Sequence, residues 1–98
     1  MKMVKIMNNN PMRMIVIGGV YRHFKGFRVT VLNIAIHTET GEQLVVYRCE
    51  LPDETDVNVV HQVGIYARPL DMFLSEVDHQ KYPDVEQKHR FELISIPV

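Results

Sequence analysis

One cysteine in 98 residues leaves no internal disulfide framework and no multi-cysteine zinc site. Cys49 closes an apolar run, which reads as a semi-buried structural thiol. A catalytic thiolate would need a neighbouring base and an electropositive setting. Long apolar runs are missing too: the longest are only a few residues, far short of a membrane span. Lys2 and Lys5 lead into no signal-type apolar core, because Asn8-Asn9-Asn10-Pro11 interrupts the stretch. Together these absences predict a soluble, cytoplasmic protein with no membrane partner. Nor does charge of one sign dominate. Eleven basic residues face twelve acidic ones, for a formal net charge of -1. That balance argues against a protein that coats nucleic acid non-specifically, since such binding is driven by phosphate neutralisation.

The familiar chemical motifs are absent as well. None of the five histidines (His23, His37, His61, His79, His89) stands at the short spacing of a zinc-ligand pair. A metal site would have to be assembled by tertiary contacts alone, so no metal is expected. Ser75, Ser95 and Cys49 lack the glycine pattern of a nucleophile elbow. Gly18-Gly19 is a lone pair without the wider spacing of a phosphate loop or dinucleotide fingerprint. Nothing implies a cofactor.

What is present is an ordinary globular composition, 46% hydrophobic, in a chain long enough for one core. Residues 1–13, with Met1, Met3, Met7, Met12 and the asparagine run, read as a leader or extension, and 14–98 as a single domain. Met14–Ile17 is apolar and β-prone, Gly18-Gly19 bends the chain, and Val20–Phe24 resumes as a strand. Lys25-Gly26 supplies a turn with glycine free to take positive φ. Phe27–His37 is the longest strand candidate. Its apolar alternation starts on Phe27, Val29 and Val31, then shifts parity to Leu32, Ile34 and Ile36. A bulge or sharp bend produces such a shift, as does burial on both faces. Thr38–Gly41 reads as a hairpin loop and Leu44–Cys49 as its return strand. Ile65-Tyr66-Ala67 suggests a short strand. Pro69 suits the start of a helical turn that places Leu70, Phe73 and Leu74 on one apolar face. A polar loop over Asp78–Gln87 precedes a closing strand over Arg90–Ile96. The expected class is mainly β: a small bent antiparallel barrel with one short helical or 3-10 turn.

Four pieces in order carry a resemblance. Tyr21-Arg22-His23-Phe24-Lys25-Gly26, His37-Thr38-Glu39-Thr40, Leu44-Val45-Val46-Tyr47 and Arg68-Pro69-Leu70-Asp71-Met72-Phe73 together resemble a small bacterial family known only as a domain of unknown function. The resemblance covers about residues 19–96. It implies an SH3-like β-barrel and no established activity, and it carries over no catalytic residue. Two departures stand out. The Leu51–Val63 loop is longer than is typical, and Tyr66 stands where a tryptophan is common.

Polar and ionisable side chains crowd the two turns that flank the long strand, and binding groups concentrate on such loops. At the first turn Tyr21, Arg22, Phe24, Lys25, Phe27 and Arg28 interleave aromatic and basic groups with His23. That mix supports base stacking and phosphate contact; aromatics turned inward and bases outward explain it as well. Glu50, Asp53, Glu54 and Asp56 form an acidic loop of opposite sign. At the second turn His37 and Glu39 form a local acid–base pair or simply stabilise the turn. His23 lies near the Lys25-Gly26 tip and His37 at the far end of the Phe27–His37 strand, whose ten steps span roughly 30 Å if straight, so they are not expected to share a site. Arg68, pinned between Ala67 and Pro69, either satisfies carbonyls or a carboxylate of the barrel or holds an anionic group. The leading expectation is a non-enzymatic module that binds a protein, peptide or nucleic-acid partner through Tyr21, Arg22, His23, Lys25, His37, Glu39 or Arg68. A small anionic-ligand or catalytic domain using His37, Glu39 and Arg68 is the first alternative. A structural, homo-oligomerising protein is the second.

Overall fold

The computed structural model describes residues 2–5, 14–49 and 63–97. The acidic loop and His61 lie outside the described residues. The elements run β1 (Lys2–Lys5), β2 (Met14–Ile17), β3 (Val20–His23), β4 (Arg28–Ile36), β5 (Gln43–Cys49), β6 (Gly64–Pro69), α1 (Leu70–Phe73) and β7 (Phe91–Ser95). The fold is mainly β, as the period-2 patterning predicts. Strands β3 to β7 form one antiparallel sheet of order β6-β5-β4-β3-β7, and β1 pairs with β2. Lys2–Lys5, read from sequence as part of an extension, thus lies in register with Met14–Ile17.

The parity shift in the long strand marks a real irregularity. Val31 pairs with Tyr47 but Asn33 pairs with Val46, so Leu32 is the extra residue of a bulge. The Gly18-Gly19 corner grips β4 at that point: Gly18 N–H donates to Val31 O at 2.7 Å, and Val31 N–H donates to Gly19 O at 3.0 Å. Before the bulge Val29 and Val31 are buried; beyond it Ile34 is half-buried and Ile36 exposed.

Alternation along the strands builds the core. Tyr21, Phe27, Val29, Val31, Val45, Tyr47 and Phe91 point to one side, where Ile15, Leu70, Phe73 and Leu74 close over them. The Pro69 signal holds: α1 is a single turn whose Leu70 and Phe73 are buried, and Leu74 follows them inward. Phe73 and Phe91, both fully buried, stack with ring centroids 4.1 Å apart and planes 6° from parallel. Each such side chain contributes about 1.5–3 kcal/mol through burial. After α1 the chain runs beside the segment before β7. Arg90 N–H donates to Ser75 O and Val77 N–H to Lys88 O, each at 2.8 Å, around a bridge between Glu76 and His89.

Candidate functional site

Both histidine-bearing turns are built by the same device. His23 Nδ1 accepts a hydrogen bond from Lys25 N–H at 3.0 Å, and Gly26, at φ +102°, completes the β3–β4 turn. His37 Nδ1 accepts from Glu39 N–H at 3.1 Å and Thr40 N–H at 3.3 Å, and Gly41, at φ +76°, completes the β4–β5 turn. Each imidazole plays the part that an Asx side chain plays in a tight turn. This accounts for the proximity of His37 and Glu39: the glutamate enters through its backbone, and its side chain is exposed.

The residues expected at the first turn divide by face. Tyr21 is buried, and its hydroxyl accepts from Val16 N–H at 3.1 Å. His23 is also buried, with 4% of its surface exposed. Its ring stacks on Phe24 and Phe27, each at 4.4 Å, and meets Phe91 edge-on at 4.8 Å. These two side chains belong to the core. Arg22 and Lys25 point outward and are exposed. Arg22 pairs across the strands with Arg28 on one side and Glu92 on the other, so two guanidinium-bearing positions stand directly opposite. Like charges in that relation cost stability.

Lys25 does not stand alone at the tip. Its Nζ lies 5.6 Å from the centre of the Tyr82 ring and 5.9 Å from that of Phe24. Lys81 Nζ approaches the same Tyr82 ring at 5.5 Å. Phe24 and Tyr82 themselves pack at 5.0 Å. The 78–87 loop is tied to this end of the sheet by Gln87, whose Nε2 donates to Arg22 O at 3.0 Å and to His89 O at 2.8 Å. Sequence reading passes over Lys81, Tyr82 and Gln87 as ordinary loop. Only the basic–aromatic pair Lys81-Tyr82, which repeats the chemistry of Phe24-Lys25, hints at them.

Arg68 sits half-buried on β6. Its Nε–H donates to the Tyr47 hydroxyl at 3.4 Å, and its guanidinium carbon lies 5.5 Å from the centre of the Phe91 ring. Carbonyls or a carboxylate were the expected partners. A phenol and an aromatic face take their place among the described residues, because the inner face here is lined by rings from β5 and β7. His37 and Glu39 lie at the β4–β5 turn and Arg68 on β6, and no hydrogen bond among the described residues joins Arg68 to either. A depression of about 270 Å³ lies between the β4–β5 turn and α1, lined by Gly41, Glu42, Gln43, Pro69, Leu70 and Asp71. Its ionisable groups are the carboxyls Glu42 and Asp71, which repel an anionic ligand. Among the described residues no group of three or more His, Cys, Asp or Glu side chains could hold a metal ion. No helix among them is long and apolar enough to cross a membrane.

A small mainly-β domain, with His23 and His37 serving their turns and with Lys25 and Lys81 gathered on the Tyr82 ring, is the class these features define. The family model described as "Protein of unknown function (DUF1653)" matches residues 19–93, and the chain belongs to that family. No curated protein and no solved structure matches it significantly.

Proposed function

We propose that this protein is a non-enzymatic, cytoplasmic binding module with an SH3-like curled sheet, and that the tip of its β3–β4 hairpin docks an anionic partner. The observation that carries this reading is the meeting of Lys25 and Lys81 on one Tyr82 ring beside Phe24. Two ammonium groups from distant parts of the chain flank an aromatic surface, with Arg22 exposed nearby. Of a protein, a peptide and a nucleic acid, a single-stranded nucleic acid fits this mixture best, since phosphates meet the cations and bases stack on rings. The domain so used spans 14–98, with 1–13 an extension that the family match does not reach.

Fluorescence anisotropy with a labelled single-stranded oligonucleotide tests the reading. With Arg22, Lys25 and Lys81 as the phosphate contacts, log affinity falls against log salt with a slope of about -2. Absence of binding at low salt removes the nucleic acid and leaves an acidic protein or peptide as the partner.

Self-association is a second reading, favoured by one observation. The edge strand β7 and the residue after it expose Leu93, Ile94 and Ile96 at 42%, 46% and 51%. Exposed apolar edges invite pairing with another chain. Sedimentation equilibrium over a range of concentrations distinguishes a monomer from a dimer.

A further inference from the structure

We infer that Arg68 is a preformed receptor for a single carboxylate borne on an apolar or aromatic body, through a cation carried on β6 and not on the β3–β4 hairpin or the loop at its tip. A guanidinium carries five N–H donors. Only the Nε–H of Arg68 is engaged among the described residues, at 3.4 Å, longer than a good N–H···O bond. The Nη donors have no partner among the described residues. They form the two-pronged edge that matches a carboxylate.

The group is held in place before any ligand arrives. Its guanidinium carbon lies 5.5 Å from the centre of the Phe91 ring, and its Nε–H is directed at Tyr47; both aromatic side chains are almost wholly buried. Phe91 is locked in turn by its stack on Phe73. Little side-chain entropy remains to be lost on binding, which distinguishes this cation from the exposed lysines of the tip.

The surroundings define the ligand. Tyr66 precedes Arg68 by two residues on the same face of β6, about 7 Å away. It stacks on Tyr47 with centroids 5.9 Å apart and planes 24° from parallel. A half-buried ring beside the fork gives a carboxylate's organic portion a surface to cover. Arg90, the residue before Phe91 in the chain, is engaged elsewhere: its Nε donates to Ser75 Oγ at 3.2 Å. One cation suits a monoanion, so a carboxylate fits better than a phosphate dianion. The C-terminal residue of a peptide and a free aromatic acid share this chemistry.

An amide-detected NMR titration of the full chain with N-acetylphenylalanine, against its uncharged amide, tests the assignment. The acid is expected to shift Arg68 Nε–H and the Tyr66 amide together and to saturate. The amide should bind at least about tenfold more weakly, the loss of one charge-assisted bond. Arg68→Lys retains the charge and loses the fork, and should weaken the acid about tenfold by the same arithmetic. Lys81→Gln should leave it unchanged. A free tripeptide and its C-terminal amide separate the peptide source from the small acid. Equal response to acid and amide in the wild-type protein overturns the inference. So does an Arg68 Nε–H that does not move, an unchanged affinity in Arg68→Lys, or inorganic phosphate binding as tightly as the acid.

Discussion

Arg68 and Phe91 stand on opposite edge strands of a five-stranded sheet, yet the guanidinium carbon of one lies 5.5 Å from the ring centre of the other. In a flat sheet those edges would be about 19 Å apart, four spacings of about 4.8 Å. The contact therefore requires strong curl. The bulge at Leu32 contributes to that curl, because an extra residue bends its strand and increases local twist. The link runs from a parity shift in sequence, through a bent strand, to a cation seated on an aromatic face.

Replacing Arg68 tests the stabilising side of this contact. Arg68→Ala removes a cation–π contact, one long hydrogen bond and the packing of the aliphatic stem. The expected loss is about 1–2 kcal/mol in urea unfolding. Arg68→Lys keeps the charge and most of the stem, and should lose less than half as much. Equal stability of all three proteins would show that the guanidinium is merely solvated.

His23 is a core residue with a turn-building nitrogen, and its two contributions are separable. His23→Ala removes a ring packed on Phe24, Phe27 and Phe91 and also the acceptor for Lys25 N–H. A loss of roughly 3 kcal/mol is expected, comparable with truncating a buried phenylalanine. His23→Asn restores an acceptor suited to a tight turn without restoring the ring. Its stability should fall between the two. Asparagine no better than alanine would mean that packing accounts for the whole effect.

The sequence and the structure agree where the deciding pattern is local. Alternation with period 2 exposes the displaced parity at Leu32, and Pro69 followed by Leu70, Phe73 and Leu74 announces the single helical turn. The turns around Lys25-Gly26 and Thr38–Gly41 are equally legible. Burial of His23 was not, because its neighbours include Phe91, brought alongside only by the pairing of β3 with β7. The same holds for the tip. Lys25 and Tyr82 meet through a loop whose course depends on Gln87 reaching Arg22 O, and no spacing rule connects them. Polar crowding at the two turns pointed to a site, yet much of it is turn construction.

Gly41 offers a clean conformational test. Its φ is +76°, and a Cβ added there would meet nothing within 4 Å. Gly41→Ala should thus cost about 1–2 kcal/mol through backbone strain alone. Gly41→Asn should cost less, since asparagine tolerates the left-handed region. Calorimetric melting of the two variants measures the difference. An unchanged melting temperature in Gly41→Ala would mean that the turn relaxes into another form.

Ring and charge at the hairpin tip are separable by their salt dependence. Tyr82→Leu keeps Lys25 and Lys81 but removes the aromatic face between them. If a base stacks there, oligonucleotide affinity should fall by about 1–3 kcal/mol. The slope of log affinity against log salt should stay the same, because no phosphate contact is lost. Lys81→Gln acts in the opposite way: the ring remains and the slope becomes shallower by about 0.7, one counterion contact on a single strand. Tyr82 is half-buried in a loop, so its replacement should lower stability only modestly, and a melting curve for each variant keeps folding apart from binding. A Tyr82→Leu protein that binds as tightly as the wild type would show that the ring only seats the lysines. A Lys81→Gln protein with an unaltered slope would remove Lys81 from the contact surface.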